Sequence, residues 1–251
     1  MRVVILGGTK GMGRAIAQQL AERGDAVFLL GRDPVELQRS TADLTARAGG
    51  KSAALGNAVC DLERPETFAP ALAAASAFLG GIDAVVVTAA LFATQPALEA
   101  DLAFTQRMLT ANYVNTVLFC EHARPLLLAQ SSPSARKQLV VFSSVAGDRG
   151  RKPVILYGSS KAGLSAYLEG LDHKFHAQGL QVLCVKPGFV KTAMTAGLSP
   201  PPFAGEPEQV ARDVVRAMDA GKPLLYTPRP WALVMWIIRL LPRFVMRKIG
   251  F

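Results

Sequence analysis

The stretch Arg2-Val3-Val4-Ile5-Leu6-Gly7-Gly8-Thr9-Lys10-Gly11-Met12-Gly13 decides the fold. Its opening is an apolar, β-branched run of strand length, and its glycines lead into a helical pattern through Ala15, Ile16 and Leu20 to Gly24. Strand, glycine turn and helix in that order make a dinucleotide-binding opening. Gly7, Gly11 and Gly13 allow a tight turn and close backbone approach to a pyrophosphate, which then rests on the positive end of the helix. A purely structural turn is the competing reading, and the strand before and helix after favour the binding one.

The pattern continues outward from this unit. A second strand over 26–30 ends at Gly31-Arg32-Asp33, where a dinucleotide fold meets the adenosine ribose. An acidic residue at the strand end would bond the ribose 2′-hydroxyl, whereas a nearby arginine favours a 2′-phosphate. Arg32, with Lys10 in the glycine loop, makes NADP(H) the expected cofactor and NAD(H) the alternative. Asp33 either competes for the ribose or caps the helix that begins at Pro34, and the cap is preferred.

Further helices are expected over 34–47, 65–79, 101–129 and 207–220, and further strands over 53–60, 83–87, 139–142, 182–185 and 224–227. Alternating βαβ units require a parallel sheet covered by helices on both faces. The expected fold is therefore α/β, a Rossmann-type doubly wound parallel sheet of about seven strands, formed by residues 1–228 and followed by a basic amphipathic tail over 229–251.

Composition bounds the function. A chain of 251 residues, 50% hydrophobic, can bury one substantial core. The net charge of +9 is unevenly placed: Arg149, Arg151 and Lys152 form one cluster, and Arg229, Arg239, Arg243, Arg247 and Lys248 another. The sequence has no helix-turn-helix, zinc finger or aromatic-interleaved basic strand, so a nucleic-acid partner is not expected. Cys60, Cys120 and Cys184 lie far apart in apolar runs without metal-ligand spacing, which reads as buried thiols in a reducing compartment, with neither disulfide nor metal site. The first apolar run is only strand length and enters glycines directly, so no signal peptide is expected and a cytoplasmic location is.

Chemistry gathers later in the chain. Tyr157-Gly158-Ser159-Ser160-Lys161 falls where an apolar helix begins, and residues four apart on a helix share a face. Tyrosine, with a reference pKa of about 10, is a poor acid unless a nearby cation favours the phenolate. Ser143-Ser144 ends the strand over 139–142, at the carboxyl edge where catalytic groups of open parallel sheets collect. The strand over 182–185 runs into Lys186-Pro187-Gly188-Phe189-Val190-Lys191-Thr192, and residues 199–207 form a proline-rich loop that reads as a lid.

The order and spacing of Gly7-x3-Gly11-x-Gly13, Asn112, Ser144, Tyr157, Lys161 and Pro187-Gly188 resemble the short-chain dehydrogenase/reductase family over residues 1–228. The resemblance implies that Tyr157 gives a proton to a developing alkoxide. Lys161 would lower the tyrosine pKa and bind the nicotinamide ribose. Ser144, thirteen positions before Tyr157, would stabilise the carbonyl oxygen, with Ser143 as the structural alternative. Asn112 would kink its helix and hold a water near Lys161, with Asn115 as a decoy one turn on. It further implies a cofactor site of Gly7, Thr9, Lys10, Gly11, Met12, Gly13, Arg32, Asp61, Leu62, Ala89, Pro187, Gly188, Val190 and Thr192, with Asp61 on the adenine and Val190 and Thr192 on the carboxamide. Dimers or tetramers are the usual assemblies. The chain departs from the family at Val87-Thr88-Ala89-Ala90, where Asn-Asn-Ala-Gly is usual, so the asparagine hydrogen bonds must be replaced or absent.

The tail refines the substrate. Its apolar run over 231–238 is interrupted by Arg239, so nothing reaches the about 20 residues needed to span a bilayer. Arg239, Arg243 and Arg247 recur every fourth position among Trp, Ile, Leu and Phe, with a kink expected at Pro242. This reads as an interfacial element at a membrane surface or as the mouth of a lipid-substrate site. The alternative is a helix packed on the protein's own core or on a dimer mate. Within the family, the Tyr157 to Leu164 segment, residues 186–192 and the Leu-Pro-Arg-x3-Arg-Lys tail are similar to decaprenylphosphoryl-2-keto-ribose reductases, which implies a ketone on a polyprenyl-phosphate or other lipid carrier. The other functions weighed are a soluble reductase of a small ketone (3-oxoacyl, 3-ketosphinganine-like or steroid) and a non-enzymatic dinucleotide-binding module.

Overall fold

Along β1 (Arg2–Leu6), Val3 and Ile5 join one hydrophobic cluster and Val4 and Leu6 the other, as a period of two requires of a strand covered on both faces. The computed structural model describes residues 1–51, 54–130 and 136–250. Ala53, inside the third expected strand, and Phe251, the end of the tail, lie outside the described residues. After β1 come α1 (Gly11–Glu22), β2 (Ala26–Gly31), α2 (Pro34–Ala48), β3 (Leu55–Val59), α3 (Phe68–Leu79), β4 (Ala84–Val87), α4 (Gln95–Ala100), α5 (Leu102–Leu109), α6 (Thr116–Leu128), β5 (Gln138–Phe142), α7 (Ile155–Phe175), β6 (Gln181–Pro187), α8 (Pro207–Asp219), β7 (Leu224–Thr227), α9 (Pro230–Leu240) and α10 (Arg243–Lys248).

The strands form one seven-stranded sheet in the order β3-β2-β1-β4-β5-β6-β7, with every neighbouring pair parallel. Helices α1, α2 and α8 pack on one face through residues such as Ile16, Leu37 and Val214, and α3, α6 and α7 on the other through Phe68, Phe119 and Leu168. This is the Rossmann-type arrangement expected. The strand order reverses between β1 and β4, and such a switch point opens the crevice in which doubly wound folds take their ligands.

One local expectation changes. The single helix foreseen over 101–129 is α5 and α6 joined by a wide π turn, Thr110–Asn115, and a short α4 precedes it. Asp101 marks the start of α5 as an N-cap, its carboxylate accepting from Phe104 N at 2.9 Å. The asparagines of the π turn explain its position. Asn112 accepts from Leu91 N (2.7 Å) and donates to Leu91 O (2.8 Å), and Asn115 donates to Leu62 O (2.9 Å). The loops after β4 and β3 are thus both pinned to one helical turn.

The tail is seated on the body along one side. Met235 and Ile238 of α9 are buried against Val145, with Tyr226, Trp231 and Met246 packed around them, and each such side chain contributes about 1.5–3 kcal/mol. Arg149 donates to Leu241 O (2.9 Å) and Lys152 to Arg247 O (2.7 Å), so two of the three clustered cations hold the ends of the tail helices. The chain breaks at Pro242 between α9 and α10. On the opposite side Leu233, Trp236, Leu240 and Phe244 are exposed. Among the described residues no helix is long and apolar enough to cross a membrane.

Candidate active site

The glycine turn is built for close approach. Gly7 has φ +90°, and a Cβ on Gly13 would lie 2.3 Å from the Gly7 carbonyl oxygen, so neither position accommodates a side chain. Lys10, the N-cap of α1, makes no side-chain cap, which leaves the first helical N–H groups free to donate to an anion. By contrast α2 is capped internally: Asp33 Oδ1 accepts from Val35 N (2.9 Å) and Glu36 N (3.2 Å).

A cleft of about 270 Å³ runs along the carboxyl ends of β1 to β4. Gly7, Thr9, Lys10, Gly11, Met12, Gly13, Arg32, Asp61, Leu62, Ala89 and Thr192 all line it. Glu63 is there too, paired with Arg107 (2.9 Å) and 3.9 Å from Arg32. The departure at Val87-Thr88-Ala89-Ala90 is also explained. Thr88 Oγ1 lies 3.1 Å from Leu6 O and 3.2 Å from Gly7 O, so its hydroxyl ties β4 to the glycine turn. These features fit a dinucleotide: backbone donors at a helix end, glycines at Gly7 and Gly13 too tightly packed for a Cβ, and the cations Lys10 and Arg32 in the lining.

The cleft opens past Met12, Thr88, Ala90, Thr192 and Met194 into a larger cavity of about 1020 Å³. Ser144, Tyr157, Lys161, Pro187, Gly188 and Val190 line it. The backbone of α7 meets the turn after Ser144 without intervening side chains, since a Cβ on Gly147 would lie 2.6 Å from the Lys161 carbonyl carbon and one on Gly158 2.7 Å from Ala146 O. That approach brings Ser144, whose hydroxyl accepts from Ala146 N at 3.1 Å, to the same cavity wall as Tyr157. Desolvation pushes the Tyr157 phenol up to about 12, with the Ser144 bond pulling the other way. Phe92 meets the Tyr157 ring edge-on, with centroids 5.1 Å apart.

The Lys161 Nζ donates to Phe142 O at 2.9 Å and sits 5.8 Å from the centre of the Tyr157 ring, and burial lowers its pKa to about 8. Ser143 is occupied structurally, donating to Lys161 O (2.9 Å) and meeting Ser165 Oγ (2.7 Å), which leaves Ser144 as the serine facing Tyr157. Asn112 is fully buried, lines neither cleft, and has its amide committed to Leu91.

Sequence reasoning missed much of the cavity wall. Phe92, Leu198, Phe203, Trp231, Val234 and Leu241 contribute to it, from the loop after β4, the proline-rich loop and the tail. Trp231 is the joint between the last two: its Nε1 donates to Phe203 O at 3.1 Å, and a Cβ on Gly188 would lie 2.1 Å from that nitrogen. The indole thus rests directly on the Pro187-Gly188 turn. A large apolar side chain directly after the last strand's Thr227-Pro228-Arg229-Pro230 exit was the available signal, but nothing in spacing pairs it with Gly188.

The short chain dehydrogenase profile matches residues 1–202. An uncharacterized oxidoreductase of Mycobacterium tuberculosis is 36% identical over 248 residues, covering 98% of this chain and 96% of that one. Carbonyl reductase family member 4 of Xenopus tropicalis is 25% identical over 224 residues, covering 86% and 90%. A short-chain type dehydrogenase/reductase from Mycobacterium ulcerans shares the fold with a TM-score of 0.79 at 21% identity, covering 90% of this chain and 87% of that one. With the glycine turn, the Ser144, Tyr157 and Lys161 arrangement and these likenesses together, the chain belongs to the short-chain dehydrogenase/reductase family and is an NAD(P)-dependent oxidoreductase.

Proposed function

We propose that the protein is an NADP(H)-dependent reductase of a ketone carried on a lipid or other hydrophobic chain, of the polyprenyl-phosphate keto-sugar reductase type, working at a membrane surface. The observation that carries this reading is the cavity of about 1020 Å³ in front of Tyr157, walled mainly by apolar side chains and closed on one side by the tail. An apolar cavity of this size favours burial of hydrocarbon, about 0.8 kcal/mol for each methylene.

The cofactor would supply the hydride, held by the glycine turn, Asp61, Leu62, Ala89, Val190 and Thr192. Arg32 and Lys10 favour a 2′-phosphate, since the nearby Asp33 is committed to its cap and Glu63 to Arg107. Tyr157, with its phenol held protonated by burial, suits the role of proton donor to the developing alkoxide, and thus reduction. Ser144 bonds the carbonyl oxygen, and Lys161, pKa about 8, is mostly charged at neutral pH and stabilises the growing negative charge. Any water held by Asn112 would be held by its main chain in the π turn, because its side chain is committed. The likeness to a carbonyl reductase supports the reducing direction.

The outer side of the tail supports membrane contact. Trp236 (62% exposed) and Phe244 (65% exposed), with Leu233 and Leu240, lie on helices that also carry Arg239, Arg243 and Arg247, the pattern of an interfacial helix. A second reading, a cytoplasmic reductase of a smaller ketone whose tail closes its own pocket, draws support from the Trp231 seat on Gly188. In either case exposed Tyr113, Val114 and Leu118 beside α6 suit a homo-oligomer contact.

The test is NADPH oxidation with a polyprenyl-phosphate-linked ketone against a short ketone, combined with sedimentation on anionic vesicles. Replacing Leu233, Trp236, Leu240 and Phe244 by serine spares the seated side of the tail. Loss of vesicle binding with retained turnover of the short ketone is expected; unchanged vesicle binding would remove the membrane part of the proposal.

A further inference from the structure

The basic segment after Ser144 divides its charges. Arg149 and Lys152 bond carbonyls of the tail, whereas Arg151 lines the substrate cavity together with Ser144 and Tyr157. Among the described residues the Arg151 Nε is buried without a hydrogen-bond partner. The carboxylate that acts on it, Asp148, is already engaged, accepting from Lys186 Nζ at 2.5 Å and from Tyr226 Oη at 2.7 Å. Among the described residues the cavity lining contains Arg151 and Lys161 but no aspartate or glutamate. Lys161 Nζ spends one of its three donors on Phe142 O beside the reacting carbonyl, whereas Arg151 stands away from it with a buried Nε that has no hydrogen-bond partner. A buried donor without a partner is costly, and a guanidinium offers a planar fork that matches an oxyanion. Burial lowers the Arg151 pKa only from a high starting value, which leaves the group a cation at neutral pH.

We propose that Arg151 is the anion-recognition residue of the cavity, binding an oxyanion headgroup that the substrate carries between its reacting ketone and its apolar chain. This rests on the ketone-reductase reading above and adds to it the residue that meets the anionic group of such an amphiphile. Ser144 and Tyr157 receive the carbonyl, Arg151 the headgroup, and the apolar wall from Phe203 to Leu241 the chain.

The test is calorimetric titration of the full-length protein with dodecyl phosphate, dodecanol and inorganic phosphate, each below micelle-forming concentration. The wild type should bind dodecyl phosphate roughly 10- to 100-fold more tightly than dodecanol, the worth of a charge-assisted hydrogen bond, and inorganic phosphate far more weakly than either. Arg151→Met should erase the preference for the phosphate while leaving dodecanol affinity unchanged. Arg151→Lys, which keeps charge but not the fork, should retain part of it and guards against failure of the methionine variant to fold. Equal binding of the two amphiphiles by the wild type, or an undiminished preference in Arg151→Lys and Arg151→Met, would overturn the role of Arg151 and leave the apolar-substrate reading standing. Inorganic phosphate binding as tightly as dodecyl phosphate would overturn the amphiphile. Failure of both amphiphiles to bind would overturn the apolar-substrate reading and this inference with it.

Discussion

The two adjoining clefts are made of different material. The narrow one, about 270 Å³, is floored by backbone, with Gly7 and Gly13 so close that a single carbon would collide. The wide one, about 1020 Å³, is walled by side chains from the loop after β4, the turn after Ser144, the Pro187-Gly188 turn, the proline-rich loop and the tail. A site made of backbone demands particular residues at fixed spacing. A site made of apolar side chains demands only bulk, which many sequences supply, so the two diverge in what substitution does to them.

Removing the acid from the wide cleft has the largest effect. Tyr157→Phe should lower kcat about 10²- to 10⁴-fold with cofactor affinity preserved, measured by NADPH turnover and by fluorescence titration. Wild-type turnover would remove Tyr157 from the mechanism.

Two glycine substitutions separate the clefts. Gly13→Ala drives a carbon against the Gly7 carbonyl oxygen at 2.3 Å and should abolish cofactor binding, because backbone cannot step aside. Gly188→Ala meets the Trp231 indole at 2.1 Å and should unseat the tail at a cost of about 1–3 kcal/mol, seen as faster proteolysis of α9 and α10. Trp231→Ala in that background should recover most of the loss at Gly188, a coupling that a double-mutant cycle reads directly. Additive effects would mean that the indole does not rest on the turn.

The pH profile probes the charge facing the reacting carbonyl. Burial lowers the Lys161 pKa to about 8, so the ammonium is present below that pH and lost above it. For reduction, kcat/KM should be level below about pH 8 and then fall about tenfold per unit as Lys161 deprotonates. Lys161→Arg, charged throughout, should be slower but lack that limb; an unmoved limb would assign it elsewhere. The smallest effect is expected at Thr88. Thr88→Val removes the hydroxyl that binds Leu6 O or Gly7 O, and about 1 kcal/mol should appear as about fivefold weaker cofactor binding.

Most of the fold was legible because it repeats a simple rule. Each strand is an apolar run ending in glycine, serine or a polar turn, and each expected strand has a counterpart in the sheet. Asp33 was readable as a cap because Pro34 follows it, and Ser144 was separable from Ser143 by its distance to Tyr157. The π turn Thr110–Asn115 was hidden inside a continuous helical pattern, since one widened turn leaves no period of its own. Helix α4 carried a start signal in Thr94-Gln95-Pro96, but its six residues are too few to show a face. The Lys161 contact with Phe142 O and the raised Tyr157 pKa depend on burial, which spacing along a helix does not report. The tail was readable as amphipathic, yet the seating of Met235 and Ile238 on Val145 required the three-dimensional contact.

The central claim, that the wide cavity takes an apolar chain attached to the ketone, is tested most directly by kcat/KM for NADPH-dependent reduction across a homologous series of ketones from short to long. Burial of each added methylene predicts a rise of about fourfold until the cavity is filled, with the slope flattened in Trp231→Ala. A series with no dependence on chain length would contradict the account.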